Sequence, residues 1–347
     1  ITRYSLLLTS AVCAVLALTC CSTSKYIPEG GHSLEKVKVT SDDKQLNTSA
    51  LTGYVRQRPN AKWFSLFKKP GAKPVIYDHS LTEKSTADLR MAMRNMGYLH
   101  AEAYMDTVAK GKKMAVEYRL SPGQQYYIGE VSHVYEDDSI KALVESHTEQ
   151  LTPLKRGERF SVTTLNEERK RITTLLTSNG YYRFHKDFIT FDVDTAANST
   201  DVDVVMRLHK YRPNNNAPAT SHPVYTIRNV TYHPGDGDKI RLRDNVLQGN
   251  TAIAEGQPYS SADLQQTYNS FARLQAVRYT NIRLTEVEDT TLLDCDIEVS
   301  TNKPHTISFL PEGTNTAGDL GAAATLSYEN RNTFHGSEHF SIQARVA

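Results

Sequence analysis

Two stretches near the end of the chain alternate between apolar and polar residues, and that pattern limits the fold more than anything upstream. In residues 320–330, Leu320, Ala322, Ala324, Leu326 and Tyr328 share one face, with Gly321, Ala323, Thr325, Ser327 and Glu329 on the other. In residues 338–346, Phe340, Ile342, Ala344 and Val346 alternate with Ser341, Gln343 and Arg345. A period of two predicts strands. Long strands with one apolar and one polar face are the pattern of a transmembrane β-barrel, with lipid outside and water inside.

Helical membrane spans and nucleic acid are both disfavoured upstream. No stretch after residue 25 approaches the roughly 20 apolar residues of a spanning helix. Lys and Arg number 40 against 39 Asp and Glu, with no basic run, whereas phosphate binding needs an electropositive face. The N-terminus differs. Arg3 precedes an apolar run over residues 5–19, followed by Leu18-Thr19-Cys20-Cys21-Ser22. A charged start and a short apolar core make a secretory signal, and small residues leading into a cysteine resemble a bacterial lipoprotein signal. Cys21 is the expected lipid acceptor, because it puts Leu18 three residues upstream. Residues 1–20 then form the signal and 21–33 a tether. The chain opens on Ile rather than Met, so its start reads as truncated or misassigned. Cleavage before Cys21 leaves Cys295 as the one thiol, which rules out an intramolecular disulfide. Cys295 lies in an expected strand, 292–299, and is expected to be buried and inert.

Between these ends an order of elements recurs three times with a spacing of roughly 80 residues. The second copy, 124–209, is clearest. It has a strand at 127–135, a short helix near 140–148, and the turn Gly157-Glu158-Arg159-Phe160-Ser161. An amphipathic helix follows over 162–178, closed by Asn179-Gly180-Tyr181, and then strands near 187–194 and 201–209. Gly180 suits the left-handed position that ends helices. The third copy, 224–303, repeats this with a strand at 225–232 and the turn Gly256-Gln257-Pro258-Tyr259-Ser260. Ser260 and Asp263 form an N-cap pattern, and strands at 277–287 and 290–301 close the copy. The first copy, 34–123, begins with a strand at 34–39. It has a long helix at 85–96 ending in Asn95-Met96-Gly97-Tyr98, a last strand at 113–120, and an irregular insertion over 58–75. The fold class is therefore α+β: tandem β-α-α-β-β units, each a three-stranded sheet covered on one face by two helices, with one sheet edge left open. Residues 210–223, rich in Pro and Asn, read as a flexible linker. Residues 304–347 read as the first strands of a barrel.

Chemical motifs are scarce. His335 and His339 have the spacing of a zinc-protease pair, but Gly336 and Ser337 between them suit a turn, and no Glu follows His335. Gly235-Asp236-Gly237-Asp238 lacks the further oxygen ligands of a calcium loop. No G-x-S-x-G, phosphate loop or C-x-x-C occurs. No catalytic residue, cofactor or metal is expected, and the chain reads as a non-enzyme.

A β-α-α-β-β repeat ending in Gly-Tyr and feeding a barrel resembles the polypeptide-transport-associated (POTRA) domains of the BamA/TamA outer-membrane assembly superfamily. Finer motifs resemble its lipoprotein (TamL-like) branch from Bacteroidetes. They are residues 21–30 (C-S-T-S-K-Y-I-P-E-G), Arg56-Gln57-Arg58-Pro59-Asn60, Pro74-Val75-Ile76-Tyr77-Asp78, Glu312-Gly313-Thr314-Asn315-Thr316 with Gly318-Asp319-Leu320-Gly321, and residues 330–338 (N-R-N-T-F-H-G-S-E). His335 stands where the family commonly carries a basic residue. The resemblance implies a first barrel strand, and hence the seam, at Thr306, Ile307, Ser308, Phe309, Leu310, Pro311 and Glu312. It makes Glu312, Gly313, Thr314, Asn315, Asn330, Arg331, Asn332, Phe334, Gly336 and Glu338 the motif that leads into the barrel. Pro311 is tolerable there because an edge strand does not need its N–H. Three strands cannot close a barrel, and single-chain bacterial barrels use at least eight, so the chain is expected to be a fragment. The implied activity is outer-membrane protein assembly in a Gram-negative bacterium. Repeats in the periplasm would bind unfolded outer-membrane or surface proteins by strand addition, and the seam would assist their insertion. Outer-membrane lipid and an envelope-spanning partner protein are further expected partners. The alternatives are a two-partner-type secretion pore and a structural link between the outer membrane and such a partner.

Overall fold

Each of the three repeats is built around a central strand whose every second residue is apolar. The structure, a computed structural model, describes residues 26–60, 73–195, 199–214, 216–235, 239–316 and 319–346. The first sheet contains β1 (Ser33–Ser41), β2 (Glu102–Lys110) and β3 (Lys113–Ser121) in the order β1-β3-β2. The second contains β4 (Tyr127–Tyr135), β5 (Ile189–Thr195) and β6 (Asp201–Leu208) in the order β4-β6-β5. The third contains β7 (Thr226–Pro234), β8 (Val277–Glu286) and β9 (Leu292–Thr301) in the order β7-β9-β8. The central strands bury Met114, Val116, Tyr118 and Leu120, then Val202, Val204, Met206 and Leu208, then Leu293, Cys295, Ile297 and Val299. In the first and third sheets the central strand runs parallel to the opening strand and antiparallel to its hairpin partner. A parallel pair requires a long crossover, and the helices supply it.

Those helices are α1 (Thr48–Leu51) and α2 (His79–Asn95), α3 (Asp138–Leu151) and α4 (Val162–Thr177), and α5 (Asp244–Gly249) and α6 (Ser261–Arg273). The longer helix of each pair starts at a side-chain cap. Asp78 accepts from the Ser80 N–H at 2.8 Å, Ser161 from Thr164 at 3.0 Å and Ser260 from Asp263 at 3.2 Å. The predicted Ser260 cap is thus present. Helix α2 begins six residues ahead of the predicted start at 85, because Asp78 caps it and its first turn is polar. Thr82 and Ser85 still face the core, and the buried Ser85 hydroxyl donates to the Leu81 carbonyl and accepts from the Arg56 N–H.

The chain divides into two compact units: Ile1–Val131 with Leu154–Leu165 and Val193–Val204, and Ser132–Pro153 with Asn166–Asp192 and Val205–Ala347. The boundary runs through β4, β5 and β6. The second unit holds Cys295 in its core, with its sulfur pushed up to about 12 by burial and by nearby Asp296. Native Cys295 is expected to react with a thiol reagent at pH 8 on the order of a thousandfold more slowly than in the unfolded chain. Timed labelling in buffer and in denaturant measures this, and equal rates would contradict the core position.

Within the expected linker 210–223, the described residues on either side of Asn215 make specific contacts. Tyr211 and Thr220 exchange two backbone hydrogen bonds of 3.0 Å. His222 is buried, with its N–H on Asp137 at 2.7 Å and its ring against Phe184 and Phe188. Composition marks this stretch as loop, and His222 anchors its C-terminal end.

After the third repeat come β10 (His305–Thr316), β11 (Asp319–Asn330) and β12 (Phe340–Val346), an antiparallel sheet in the order β10-β11-β12. Among the described residues it is an open three-stranded sheet. The last strand starts at Phe340 rather than at the predicted 338, because Glu338 is used by the turn before it. Among the described residues no helix is long and apolar enough to cross a membrane.

Candidate functional site

The features that set the repeats apart from ordinary small sheets are their joints, their edges and the final sheet. The Gly-Tyr pairs make the joints. Both end their helix in a Schellman motif, with the Tyr98 N–H on the Met93 carbonyl at 3.1 Å and the Tyr181 N–H on that of Leu176 at 3.2 Å. Gly97 and Gly180 take φ of 92° and 96°, the left-handed region that glycine occupies without steric cost. Each glycine carbonyl then accepts from the residue that opens the next repeat, Tyr126 at 3.0 Å and Tyr225 at 2.8 Å. The carbonyls of those tyrosines in turn accept from Phe160 at 3.0 Å and Tyr259 at 2.9 Å. The first joint lies wholly in the first unit and the second wholly in the second.

The second joint has more contacts. Arg183 donates to both carboxylate oxygens of Glu286 and, at 2.7 Å, to the Tyr211 hydroxyl, while the Tyr225 hydroxyl donates to Glu286. The rings of Tyr225 and Tyr259 meet Tyr182 edge-on at 5.4 and 5.1 Å. The Arg183 hydrogen bond holds the Glu286 carboxyl below its ordinary 4.5, against the opposing effect of partial burial. A carboxyl whose folded pKa is depressed gives stability that is fully present above its unfolded pKa and is lost as pH falls through the folded value. The joint is therefore expected to weaken only below about pH 4.5, by no more than about 1 kcal/mol because both side chains are partly exposed. Hydrogen exchange at the Tyr225 amide against pH checks this. Glu286→Gln should exchange faster at neutral pH and lose the acid dependence, and a parallel response would remove Glu286 as the cause.

The opening strand of each sheet is covered at its start by the loop before the long helix, through the bridges Ser33–Ile76, Tyr127–Arg159 and Thr226–Pro258. The opposite edges, β2, β5 and β8, have no further strand among the described residues. On β8 one rung is taken, since the Tyr268 hydroxyl accepts from the Ile282 N–H at 2.9 Å and donates to its carbonyl.

Two motifs of the sequence analysis prove to be one local structure. Gln57 donates to the Ile76 carbonyl and accepts from the Asp78 N–H, Asn60 donates to the Lys73 carbonyl, and Arg56 pairs with Asp88. Residues 56–60 and 74–78 thus close the base of the insertion. Residues 61–72, and the expected lipid acceptor Cys21, lie outside the described residues.

The predicted seam residues Thr306–Glu312 sit in β10, an edge strand paired only with β11. The register aligns Ile307, Tyr328 and Ile342 in one row, Phe309, Leu326 and Ala344 in the next, and Pro311, Ala324 and Val346 in a third. These rows share a face, which is apolar and open. Ile307 is 73% exposed, Phe309 65%, Ile342 60% and Val346 75%. The other face is mostly polar: it carries Thr306, Ser308, Glu312, Ser327, Gln343 and Arg345, with Arg345 paired to Glu312 at 2.9 Å, and among them the exposed Leu310. Gly313, Thr314 and Asn315 continue β10 opposite Ala322, Gly321 and Leu320.

Asn330 ends this face, opposite His305 and Phe340, and the motif residues after it lie in the turn. They fasten the sheet to the third repeat. Asn330 caps the turn by accepting from the Asn332 N–H, Arg331 pairs with Glu329, and the Arg331 N–H donates to the Pro304 carbonyl. Buried Asn332 donates to the Arg241 carbonyl and accepts from the Ser337 N–H. Glu338 accepts from the Phe334 and Gly336 N–H groups and pairs with Arg243 at 3.1 Å. Desolvation opposes its ionisation, but backbone N–H groups and Arg243 outweigh that and hold its pKa below the ordinary value. The Arg243 N–H donates to the His335 carbonyl, and the Ser337 hydroxyl accepts from the Ala276 N–H. A Cβ on Gly336 would displace the side-chain ends of Glu338 and Arg243. His335 and Ser337 take φ of 61° and 65° as turn residues, and among the described residues no group of three or more His, Cys, Asp or Glu side chains is placed to hold a metal. This clasp, linking residues about 90 apart in sequence, was not predicted.

No family model matches the chain, and no curated protein matches it. Solved structures similar to it include POTRA3–5 of BamA from Haemophilus influenzae, 17% identical over 79% of this chain and 99% of that one, with a TM-score of 0.46. BamA from Haemophilus ducreyi lacking POTRA domains 1–3 is 15% identical over 64% of this chain and 37% of that one, with a TM-score of 0.47. CdiB from Acinetobacter baumannii is 11% identical over 64% of this chain and 38% of that one, with a TM-score of 0.33.

Proposed function

We propose that this chain is part of an outer-membrane protein assembly factor of the BamA/TamA type, in its lipoprotein (TamL-like) branch. The observation that carries the reading is the final sheet. An apolar face runs across β10, β11 and β12, open to its surroundings, while the opposite face is polar apart from Leu310 and Ala323 and carries the Arg345–Glu312 pair. An open apolar face of this extent on a water-facing domain would be an aggregation liability. As part of a larger closed sheet it faces lipid, and the polar side faces a lumen. The clasp at residues 330–338 then couples that sheet to the last of the POTRA-like repeats.

On this reading the repeats stand in the periplasm, joined through their Gly-Tyr helix ends. Their open edges β2 and β5 offer main-chain hydrogen bonds to extended segments of unfolded outer-membrane or surface proteins. Such bonds are tolerant of client sequence, which suits clients that share only an alternating pattern. The edge strand β10, with Pro311 on it, serves as the seam where client strands meet the barrel. Cys21 carries lipid and anchors the arm to the membrane. The protein makes and breaks no covalent bond, and it lowers an insertion barrier by templating strands.

Depleting the protein in its own bacterium, followed by quantitative proteomics of the isolated outer membrane, tests this. Folded barrel proteins or surface lipoproteins are expected to fall while inner-membrane proteins hold steady. An outer membrane of unchanged composition after depletion would sink the proposal.

A further inference from the structure

The segment between β7 and α5 carries three cations at alternate positions, Lys239, Arg241 and Arg243, and all three are exposed. Together with Ile240, Leu242 and His335 they line a cavity of about 460 Å³. Among the described residues no carboxylate lines it. Arg243 pairs with Glu338, but Lys239 and Arg241 have no ion-pair partner among the described residues. The backbone under the cations is held in place by the clasp, through the Arg241 carbonyl on Asn332 and the Arg243 N–H on His335. The backbone at Arg241 and Arg243 is therefore fixed, while the Lys239 and Arg241 side chains stay free to turn onto one anion.

Their position gives the site its meaning. The turn that fixes them carries Phe334, 70% exposed, and leads into Phe340, 51% exposed. Phe340 stands opposite Asn330, and Asn330 opposite His305, so this is the end of the sheet where β10 and β12 begin. Aromatic side chains gather where a membrane-spanning sheet leaves the hydrocarbon, and cations just beyond that level attract anionic headgroups. We propose that Lys239, Arg241 and Arg243 bind the phosphate of an anionic membrane lipid whose acyl chains lie along Phe334, Phe340 and the apolar face of the final sheet. This rests on the reading of that face as lipid-facing. The site would seat the sheet at a defined depth and favour insertion where anionic lipid is present.

The test uses the whole chain in a non-ionic detergent, with the backbone amides of Arg243 and His335 as reporters. It is titrated separately with dihexanoyl phosphatidylglycerol, dihexanoyl phosphatidylcholine and inorganic phosphate. Phosphatidylglycerol is expected to bind at least tenfold tighter than either of the others. The double variant Lys239→Gln, Arg241→Gln should lose at least tenfold of that affinity, while an unchanged His335 amide shift in the free protein shows that the clasp is intact. Equal binding of the two lipids, inorganic phosphate binding as tightly as phosphatidylglycerol, or an unaffected double variant would each overturn the proposal. Insertion of the wild-type chain into vesicles of pure phosphatidylcholine separates the two readings. Insertion without phosphatidylglycerol selectivity removes the headgroup site and leaves the lipid-facing sheet standing. Selectivity without insertion does the reverse.

Discussion

Gly97→Ala is expected to cost roughly 3 kcal/mol of local stability at the first joint, and Gly180→Ala markedly less at the second. Both glycines hold φ near +90°, and an L-residue there costs about 1–2 kcal/mol. What differs is the neighbour. A Cβ on Gly97 would fall on the Phe160 carbonyl oxygen, which is backbone, whereas on Gly180 it would come within 2.6 Å of Cγ1 of Val224, a side-chain methyl. A methyl can turn away. The Phe160 carbonyl can move only with its own peptide, whose neighbouring N–H is bonded to Tyr126, and Tyr126 in turn donates to Gly97. The substitution therefore pits one new methyl group against two linked hydrogen bonds, each worth about 1 kcal/mol net. Native-state hydrogen exchange at the Tyr126 and Phe160 amides, set beside Tyr225 and Tyr259 in the Gly180 variant, measures both losses. Equal losses, or none at Tyr126, would show that the joint is not closed in this way.

The two joints also show how far the sequence could be read. Gly97-Tyr98 and Gly180-Tyr181 were visible as helix ends, because a left-handed glycine after an amphipathic run is a local signal. That the same glycine receives the next repeat was not visible, since Tyr126 and Tyr225 lie 29 and 45 positions on and no periodicity joins them. Helix α6 has no such pair. It ends at Arg273 with Leu274 as its cap, and Ala276 meets Ser337 instead, so the joint changes where the next element is no longer a repeat. The central strands were legible because alternate residues are apolar. The strand β2 was not, because Tyr104 and Val108 are exposed on the face that should read as polar and blur the alternation. The clasp escaped for a different reason. Asn332, Gly336 and Glu338 serve backbone groups of other segments or of their own turn, and such pairings leave a motif in the sequence without saying what it holds.

The final sheet allows the sharpest test, because adjacent residues of β12 face opposite ways. Ile342 shares its row with Tyr328 and Ile307 on the apolar face, and Gln343 shares its row with Ser327 and Ser308 on the polar face. Both sit mid-strand at the same level. If the apolar face meets lipid, Ile342→Arg places a cation in hydrocarbon, which costs about 2–4 kcal/mol near the midplane of a membrane barrel. Gln343→Arg places the same charge on the side that already carries Arg345. At about 1.4 kcal/mol per factor of ten, the first variant is expected to lower the equilibrium of membrane-inserted over uninserted protein by roughly thirtyfold to several hundredfold. The second should change it by no more than a few fold. Fractionation with carbonate or urea washing of the membrane, scored by the heat-modifiable mobility typical of folded barrels, reads the difference. If instead the apolar face were an interface with a water-soluble partner, both variants would stay out of the bilayer to the same extent as the wild type, and Ile342→Arg would disturb only that complex. The asymmetry between two neighbouring residues, at equal depth and with identical added charge, is what only a lipid-facing sheet produces.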